Sequence, residues 1–262
     1  MFRHSVAGTF AAVASVALAC CLVAMTPSPA SAAEIKLLGP VAMRALLPNL
    51  LAQFEKSSGH KVTVKFATIG AITDRVMKGE AADVAVVSGA QNEELQKQGK
   101  LLAGGSAELA RIGYTVLVKT GAAKPDLGSV DAFKRTLLAA NSIALGDPAR
   151  GGGSGVYMAG LIQNWGLAAE LKTKTKLFPS GTEVAESVAK GETEIGVGVT
   201  SDLSIVPGLV SIPLPAEVQS YTMFTAGIPA GSKQADAGKA LIAFLKSPAV
   251  KQAMTAQGFE PR

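Results

Sequence analysis

Short apolar segments alternate with longer amphipathic ones along most of this chain. In its first part, an apolar run predicts a strand at 35–38, and apolar residues at helical spacing predict a helix over 41–56 that stops at Gly59. The alternation continues as predicted strands at 62–66, 84–87 and 114–119 and predicted helices at 72–78 and 92–98. Strands that alternate with helices in this way are typical of an α/β fold with a largely parallel sheet.

The second part repeats the alternation after a loop at 120–129. Predicted helices lie at 131–140, 154–165, 183–190, 234–245 and 248–257, and predicted strands at 142–145, 176–178, 195–199 and 221–228. The segment 206–215 contains three prolines and is predicted to be an extended connection, because proline has no N–H group for a strand ladder.

One local arrangement recurs in both parts: a strand ends in a turn of small or hydroxyl residues, and a helix begins at once. It is found at 39–40, 67–70, 151–155 and 180–182. In open α/β sheets, ligands bind beyond the carboxyl ends of the strands, where helix N-termini present unpaired N–H groups and a positive dipole. The four turns are therefore predicted to converge on one anion.

The first 32 residues are predicted to be a leader rather than part of the fold. A run rich in small and apolar residues follows two basic residues and ends in the small-residue signal Ala-Ser-Ala at 30–32. This pattern indicates a secretory signal peptide cut after Ala32 or Ala33, and hence a periplasmic protein. The alternatives are a membrane anchor, since the run nearly reaches spanning length, and a lipoprotein signal at Cys20 and Cys21.

Removing 32 of the 262 residues leaves 230, with no cysteine and a single histidine, His60. Disulfides, thiolate catalysis and cysteine-ligated metals are thereby excluded, and the spacing of the other residues predicts no metal site and no cofactor. One arginine leaves with the leader, so 24 basic residues face 20 acidic ones and the net charge falls from +5 to +4. This mild, scattered excess does not predict a nucleic-acid surface, and a small anionic ligand fits it better.

The glycine-rich stretch at 146–155 is the most informative local feature. Its spacing fits neither a dinucleotide fingerprint nor a phosphate loop, which also requires a lysine. We interpret it as an anion cradle in which Ser154 caps the following helix and donates to the ligand; the alternative is a flexible loop. Thr68 likewise precedes a predicted helix. It is either a ligand contact or a plain helix cap.

Candidate charged groups are few. Arg44, Arg75, Arg111 and Arg150 are candidate partners for a carboxylate ligand, and Arg111 and Arg150 are preferred. Asp147, Glu183 and Asp202 follow strands and are candidate general bases, although the two aspartates are equally good turn residues. His60 is predicted to be a surface cap at a helix end rather than a base.

Several stretches carry a resemblance to a known family. Residues 66–70 (FATIG) and 76–88 (VMKGEAADVAVVS) closely resemble the type II periplasmic binding proteins of the molybdate-receptor family, as do 144–148, 196–202 and the ending from 244 to 259. The resemblance spans nearly the whole chain after the leader. It implies an α/β fold of two lobes with a ligand cleft between them, one lobe formed by 33–112 plus 213–262 and the other by 113–212.

The positions that bind ligand in that family depart from its molybdate pattern. The usual hydroxyl residues are replaced by Pro40 and Val41 in the first turn and by Thr68 and Ile69 in the second, so a tetrahedral oxyanion would lose donors. The resemblance implies a ligand-binding set composed of Pro40, Val41, Thr68, Ile69, Gly70, Arg150, Gly153, Ser154, Gly155, Val199 and Thr200.

Two functions from different classes follow from this resemblance. One branch of the scaffold, the aconitate isomerases, implies an enzyme without a cofactor that interconverts cis- and trans-aconitate by allylic proton transfer, with its base unknown. The alternative is a solute-binding protein for molybdate or another small oxyanion or carboxylate, which would deliver its ligand to an ABC permease. Proteins of this fold are usually monomeric, and a monomer is expected here.

Overall fold

The computed structural model describes residues 32–262, in which helices and strands alternate as the apolar pattern predicts. The helices are α1 (Leu47–Ser58), α2 (Ile69–Met77), α3 (Gly89–Lys97), α4 (Val130–Ala139), α5 (Gly153–Asn164), α6 (Ala168–Leu171), α7 (Gly181–Lys190), α8 (Ala235–Leu245) and α9 (Pro248–Ala256). The strands are β1 (Glu34–Pro40), β2 (Lys61–Ala67), β3 (Val84–Ser88), β4 (Ala107–Lys119), β5 (Ile143–Gly146), β6 (Thr175–Phe178), β7 (Ile195–Val199), β8 (Leu209–Pro213), β9 (Tyr221–Gly227) and β10 (Glu260–Pro261).

The sheet contains two groups of parallel strands. β1 pairs in parallel with β2 and β3, and β5 pairs in parallel with β6 and β7. The strands lie in the order β2-β1-β3-β9-β4-β7-β5-β6, and β8 and β10 also pair with β4. The predicted α/β fold is confirmed, and the parallel pairing that the strand–helix alternation indicates holds within each group.

The two groups are joined by the long antiparallel strand β4. Its residues 107–113 pair with β9, which in turn pairs with β3, and its residues 114–119 pair with β7 on one side and β8 on the other. β4 therefore leaves the first group and enters the second at Gly113 and Tyr114. The prediction placed the start of this strand at 114, whereas the structure extends it back to Ala107.

Two predicted elements are wrong in detail. The helix predicted over 41–56 is a single 3-10 turn (Val41–Met43) followed by α1, whose first turn contains Pro48, where a missing N–H group is tolerated. The connection predicted at 206–215 contains β8, which pairs with β4 and places Pro213 at its last residue. Proline is compatible with the end of a strand that has a neighbour on one side only.

The buried Asp83 ties the first parallel group to the chain near α8. It is 5% exposed. Its Oδ2 accepts a hydrogen bond from the Lys36 N–H (2.9 Å), and its Oδ1 accepts from the Ser232 hydroxyl (2.8 Å) and from the N–H groups of Lys233 and Gln234 (both 3.1 Å). Four donors satisfy this carboxylate, so its burial is compatible with a stable fold.

Candidate functional site

A cavity lies where the carboxyl ends of the two parallel groups face each other. Its wall is made by the turns that follow β1, β2, β5, β6 and β7, and side chains of β4 and β9 complete it. The lining residues are Pro40, Val41, Ala42, Thr68, Ile69, Ile112, Tyr114, Gly146, Asp147, Gly152, Gly153, Ser154, Pro179, Ser180, Gly181, Val199, Asp202, Thr222 and Phe224. The cavity has a volume of about 60 Å³, which is enough for more than one water molecule. The four turns predicted to converge do line one cavity.

The N-terminus of α5 is the part of the wall best suited to receive an anion. The prediction that Ser154 caps this helix is wrong: Gly152 is the N-cap residue, no side chain caps the helix, and Ser154 is the second helical residue. The first hydrogen bond within the helix is donated by Val156. The N–H groups of the first turn therefore have no partner inside the helix and lie at its positive end. Among the described residues, no hydrogen bond engages the Ser154 side chain, which lies in the same turn and lines the cavity.

Tyr114 and Thr222 form a polar pair against this helix end. Their hydroxyl oxygens are 2.8 Å apart. A Cβ atom at Gly153 would lie 2.6 Å from the Thr222 Oγ1 and 2.9 Å from the Tyr114 hydroxyl oxygen, so only glycine allows the helix to approach the pair this closely. Burial raises the pKa of Tyr114, the hydrogen bond with Thr222 lowers it, and the neighbouring Tyr157 raises it. The hydroxyl therefore stays protonated at neutral pH and is available as a donor.

Asp202 places a buried carboxyl group in the wall. The residue is 2% exposed, and its Oδ2 accepts a hydrogen bond of 2.9 Å from the Val199 N–H. No hydrogen bond to Oδ1 is found among residues 32–262. Burial raises the pKa of Asp202 to about 6, against the lowering effect of the Val199 hydrogen bond. The group therefore exchanges a proton near neutral pH, as a general acid or base must.

Glycines create the space that Asp202 occupies. A Cβ at Gly198 would lie 2.5 Å from Asp202 Oδ2, and a Cβ at Gly181 would lie 3.3 Å from the same oxygen. Gly181 opens α7 on the other side of the carboxyl group. The carboxyl group is thus enclosed between β7 and the start of α7.

Direct contacts join the two groups of strands beside the cavity. The Thr68 hydroxyl donates a 2.6 Å hydrogen bond to the Arg150 carbonyl, and the Gly70 N–H donates a 3.2 Å hydrogen bond to the Gly151 carbonyl. A Cβ at Gly70 would lie 2.8 Å from the Gly151 Cα. Since Thr68 also accepts from the Ala71 N–H, its hydroxyl is engaged in this conformation.

Among the described residues, no lysine or arginine side chain lines the cavity. The charged residues that do line it are Asp147 and Asp202. Arg111 lies 2.6 Å from a Glu260 carboxylate oxygen and stacks on the Tyr221 ring, and the Arg150 side chain is 60% exposed. The other two candidates have similar local partners: Arg44 lies over the Phe66 ring, and Arg75 faces Glu80. The charge of a bound anion must therefore be met by N–H groups, hydroxyls and helix dipoles.

The structure brings seven of the eleven predicted ligand residues to this cavity. They are Pro40, Val41, Thr68, Ile69, Gly153, Ser154 and Val199. The other four are placed elsewhere for local reasons. Gly70 and Arg150 line a separate surface pocket, Gly155 packs against the Gly146 carbonyl, and Thr200 packs against Gly258.

Sequence reasoning missed the cavity residues that come from the crossing strands. Tyr114 and Thr222 lie on β4 and β9, and only the antiparallel pairing of these strands brings them together. The apolar pattern does not report that pairing, although a tyrosine and a threonine within predicted strands were a signal.

The prediction that His60 is a surface cap is wrong. The residue is 8% exposed, and its Nδ1 accepts a 3.1 Å hydrogen bond from the Ala33 N–H.

Within the described part of the chain, no three His, Cys, Asp or Glu residues cluster as metal ligands, and no helix combines the length and apolar character needed to cross a membrane.

This fold and cleft define a class. Residues 35–260 match the family of bacterial extracellular solute-binding proteins, and the chain belongs to that family. Its α/β architecture is the two-lobed fold of periplasmic solute-binding proteins: it superimposes on the solved structure of the Azotobacter vinelandii periplasmic molybdate-binding protein with a TM-score of 0.72 and 21% identity, over 86% of this chain and 98% of that one.

Two curated relatives have different activities. The chain is 28% identical over 261 residues to an aconitate isomerase of Pseudomonas sp, covering 96% of this chain and 98% of the isomerase. It is 27% identical over 238 residues to the molybdate-binding protein of Azotobacter vinelandii, covering 88% of this chain and 91% of that protein. Identity alone does not separate an enzyme from a receptor, so the chemistry of the cavity has to decide.

Proposed function

We propose that this protein is a periplasmic aconitate isomerase that interconverts cis- and trans-aconitate without a cofactor. The observation that carries the proposal is Asp202, a buried carboxyl group in the cavity wall whose pKa lies near 6. The ionised carboxylate repels a bound anion in either function, but only an enzyme that moves a proton needs a group that titrates near neutral pH. The similarity to an aconitate isomerase over almost the full length of both chains supports the same assignment.

The reaction requires one proton to leave the substrate and one to return. The Asp202 carboxylate takes a proton from the methylene carbon, the electron pair of that C–H bond becomes the new double bond, and the old double bond shifts its electrons towards a carboxylate. Protonation of the former vinylic carbon by Asp202 then completes the shift in either geometry. Atoms and charge balance without an oxidant, a reductant or a metal ion.

The intermediate carries extra negative charge on a substrate carboxylate, and fixed donors must meet it. The N–H groups at the start of α5, the Ser154 hydroxyl and the Tyr114–Thr222 pair lie in the same wall. They belong to a helix end and two strands, so they keep their orientation while the charge develops.

We further propose that the lobes divide as the sequence predicts, 33–112 plus 213–262 against 113–212, because β4 passes from one parallel group to the other at Gly113 and Tyr114. Aconitate has more than twice the non-hydrogen atoms of a tetrahedral oxyanion, so the lobes must open to admit it. The contacts of Thr68 with Arg150 and of Gly70 with Gly151 must break in that step.

A second candidate function is capture of a small oxyanion for an ABC permease. The observation that favours it is the small volume of the cavity, about 60 Å³, together with a lining that contains no lysine or arginine among the described residues. In this case the protein binds stoichiometrically and turns nothing over.

Proton NMR of cis-aconitate in D2O with a small fraction of purified protein separates the two functions. We expect trans-aconitate to accumulate far beyond one equivalent and deuterium to enter the methylene group. Asp202→Asn should lower turnover by about 10²–10⁴-fold, and Asp147→Asn, which changes the other carboxyl group of the cavity, is the matched control. Absence of turnover by the unaltered protein contradicts the proposal and leaves the receptor function.

A further inference from the structure

The backbone of Ala33 is held at both of its polar atoms. Its N–H donates a 3.1 Å hydrogen bond to Nδ1 of His60, and its carbonyl accepts a 2.8 Å hydrogen bond from the Lys61 N–H. Ala33 is 9% exposed, whereas Ala32 is exposed. The parallel ladder between β1 and β2 begins one residue later, with Glu34 opposite Lys61. Among residues 32–262, Ala33 is therefore the first whose backbone is held by the fold.

His60 is arranged to accept at this position. Its ring lies 5.9 Å from the Phe54 ring, and the His60 backbone N–H donates to the Ser58 hydroxyl. Because Nδ1 accepts from Ala33, a neutral His60 carries its proton on Nε2. Nothing in the proposed reaction uses this buried imidazole, which lies on the first strand pair rather than in the cavity.

The small-residue signal at 30–32 allows hydrolysis of either of two bonds, Ala32–Ala33 or Ala33–Glu34. Hydrolysis of the second bond would remove Ala33, so Nδ1 of His60 would lose its donor and the Lys61 N–H its acceptor. Buried polar groups without partners are costly. Hydrolysis of the first bond keeps both contacts.

We propose that a signal peptidase hydrolyses the Ala32–Ala33 bond and that His60 is the binding site for the new α-ammonium group of Ala33. Water supplies the oxygen of the Ala32 carboxylate, and the released nitrogen becomes the ammonium group. That group donates to Nδ1 in place of the former amide N–H, as a charge-assisted hydrogen bond. The inference concerns processing and the start of the fold, and it is independent of the proposed function.

The first test is processing of the full chain in a bacterium that exports it. Intact mass and N-terminal sequencing of the periplasmic protein should give a chain of residues 33–262 beginning Ala-Glu-Ile. A chain beginning at Glu34, a chain cut elsewhere or an uncut chain overturns the assignment of the bond.

The second test addresses the binding site with the same exported protein. His60→Leu removes the acceptor, and His60→Asn keeps one near the position of Nδ1. We expect His60→Leu to lower the midpoint of thermal unfolding by about 3–8 °C and His60→Asn to restore most of it. An α-amine-selective aldehyde reagent should modify Ala33 at least tenfold more slowly in the unaltered protein than in His60→Leu. Equal midpoints and equal labelling of the unaltered protein and His60→Leu would overturn the role of His60.

Discussion

Asp83 and Asp202 are both buried aspartates that follow the same chemical rules in different surroundings. Asp83 accepts four hydrogen bonds within the fold, whereas one is found on Asp202, which lies in the wall of the cavity. A carboxylate that accepts four hydrogen bonds stabilises the fold. One with a single donor and a pKa raised to about 6 costs stability. The comparison distinguishes a residue that stabilises the fold from the residue that is proposed to take part in the reaction.

The largest effect is expected from Asp202→Asn, the change that removes the base and keeps the shape. Turnover of aconitate should fall by about 10²–10⁴-fold, since a positioned base contributes that much. The Asn Oδ1 still accepts from the Val199 N–H, so the midpoint of thermal unfolding at pH 7 should stay the same or rise. Isomerase assays and thermal unfolding of the same sample check both expectations. A variant that keeps its activity, or loses it only by unfolding, contradicts the role of Asp202.

Asp83→Ala should show the opposite combination. Three backbone N–H groups, those of Lys36, Lys233 and Gln234, lose their acceptor, and we expect a loss of about 3–5 kcal/mol in the free energy of unfolding. Turnover per folded molecule should be unchanged, because the residue is absent from the cavity wall. Urea titration measures the first quantity and active-site-normalised turnover the second. Asp236→Ala, in an exposed ion pair, is the control.

The contribution of Asp202 to stability and its contribution to catalysis should depend on pH in opposite directions. Its pKa is raised in the folded state, from 3.8 to about 6. Its contribution to stability is therefore fully present below pH 3.8 and is lost as the pH rises to about 6, a change of about 3 kcal/mol relative to Asp202→Asn. Catalysis needs the ionised form, so kcat/KM should rise about tenfold per pH unit up to pH 6 and then level off. Urea unfolding and rate profiles between pH 4 and 8 test both.

Gly153→Ala extends the comparison to the donors of the cavity. The added methyl group would lie 2.6 Å from the Thr222 hydroxyl oxygen and must displace the Tyr114–Thr222 pair. We expect kcat/KM to fall about tenfold while the fold is retained. Gly160→Ala lies in the same helix with open space around its Cβ, and that control should leave kcat/KM unchanged. Equal rates for the two variants would show that the pair is not used.

The smallest effect is expected from Thr68→Val, which removes the hydrogen bond to the Arg150 carbonyl. One net hydrogen bond is worth about 1 kcal/mol, so KM should change by about fivefold with little change in kcat. Thr68→Ser keeps the hydroxyl and serves as the control. Steady-state kinetics of the two variants give the comparison. A large fall in kcat would place Thr68 in the chemistry rather than in closure.

The repeated strand–turn–helix units made the turns around the cavity predictable. The rule that ligands bind at the carboxyl ends of parallel strands predicted that the turns at 39–40, 67–70, 151–155 and 180–182 converge, and residues of all four turns line the cavity. Side-chain direction was beyond this reasoning. Arg150 follows the right strand, but its side chain is exposed.

The parts of the site that the sequence did not predict depend on contacts between residues far apart in the chain. Tyr114 meets Thr222 across 108 positions, and Ala33 meets His60 across 27. The burial that raises the pKa of Asp202 likewise depends on Gly181 and Gly198, which no local pattern relates to it. Local apolar periodicity predicts helices, strands and their ends, but it does not predict which residues distant in the chain come into contact.

The contact between Gly70 and Gly151 has a consequence for how such a scaffold diversifies. Only hydrogen atoms separate the two backbones here, so a side chain at Gly70 would act as a spacer and fix a wider closed state. Gly151 has a φ of +68°, so a side chain there would also strain the backbone. Neither glycine is among the residues that line the cavity, so the groups that face the ligand would keep their identity. The volume of an acceptable ligand and its chemistry are thus encoded by different residues and can be altered one at a time.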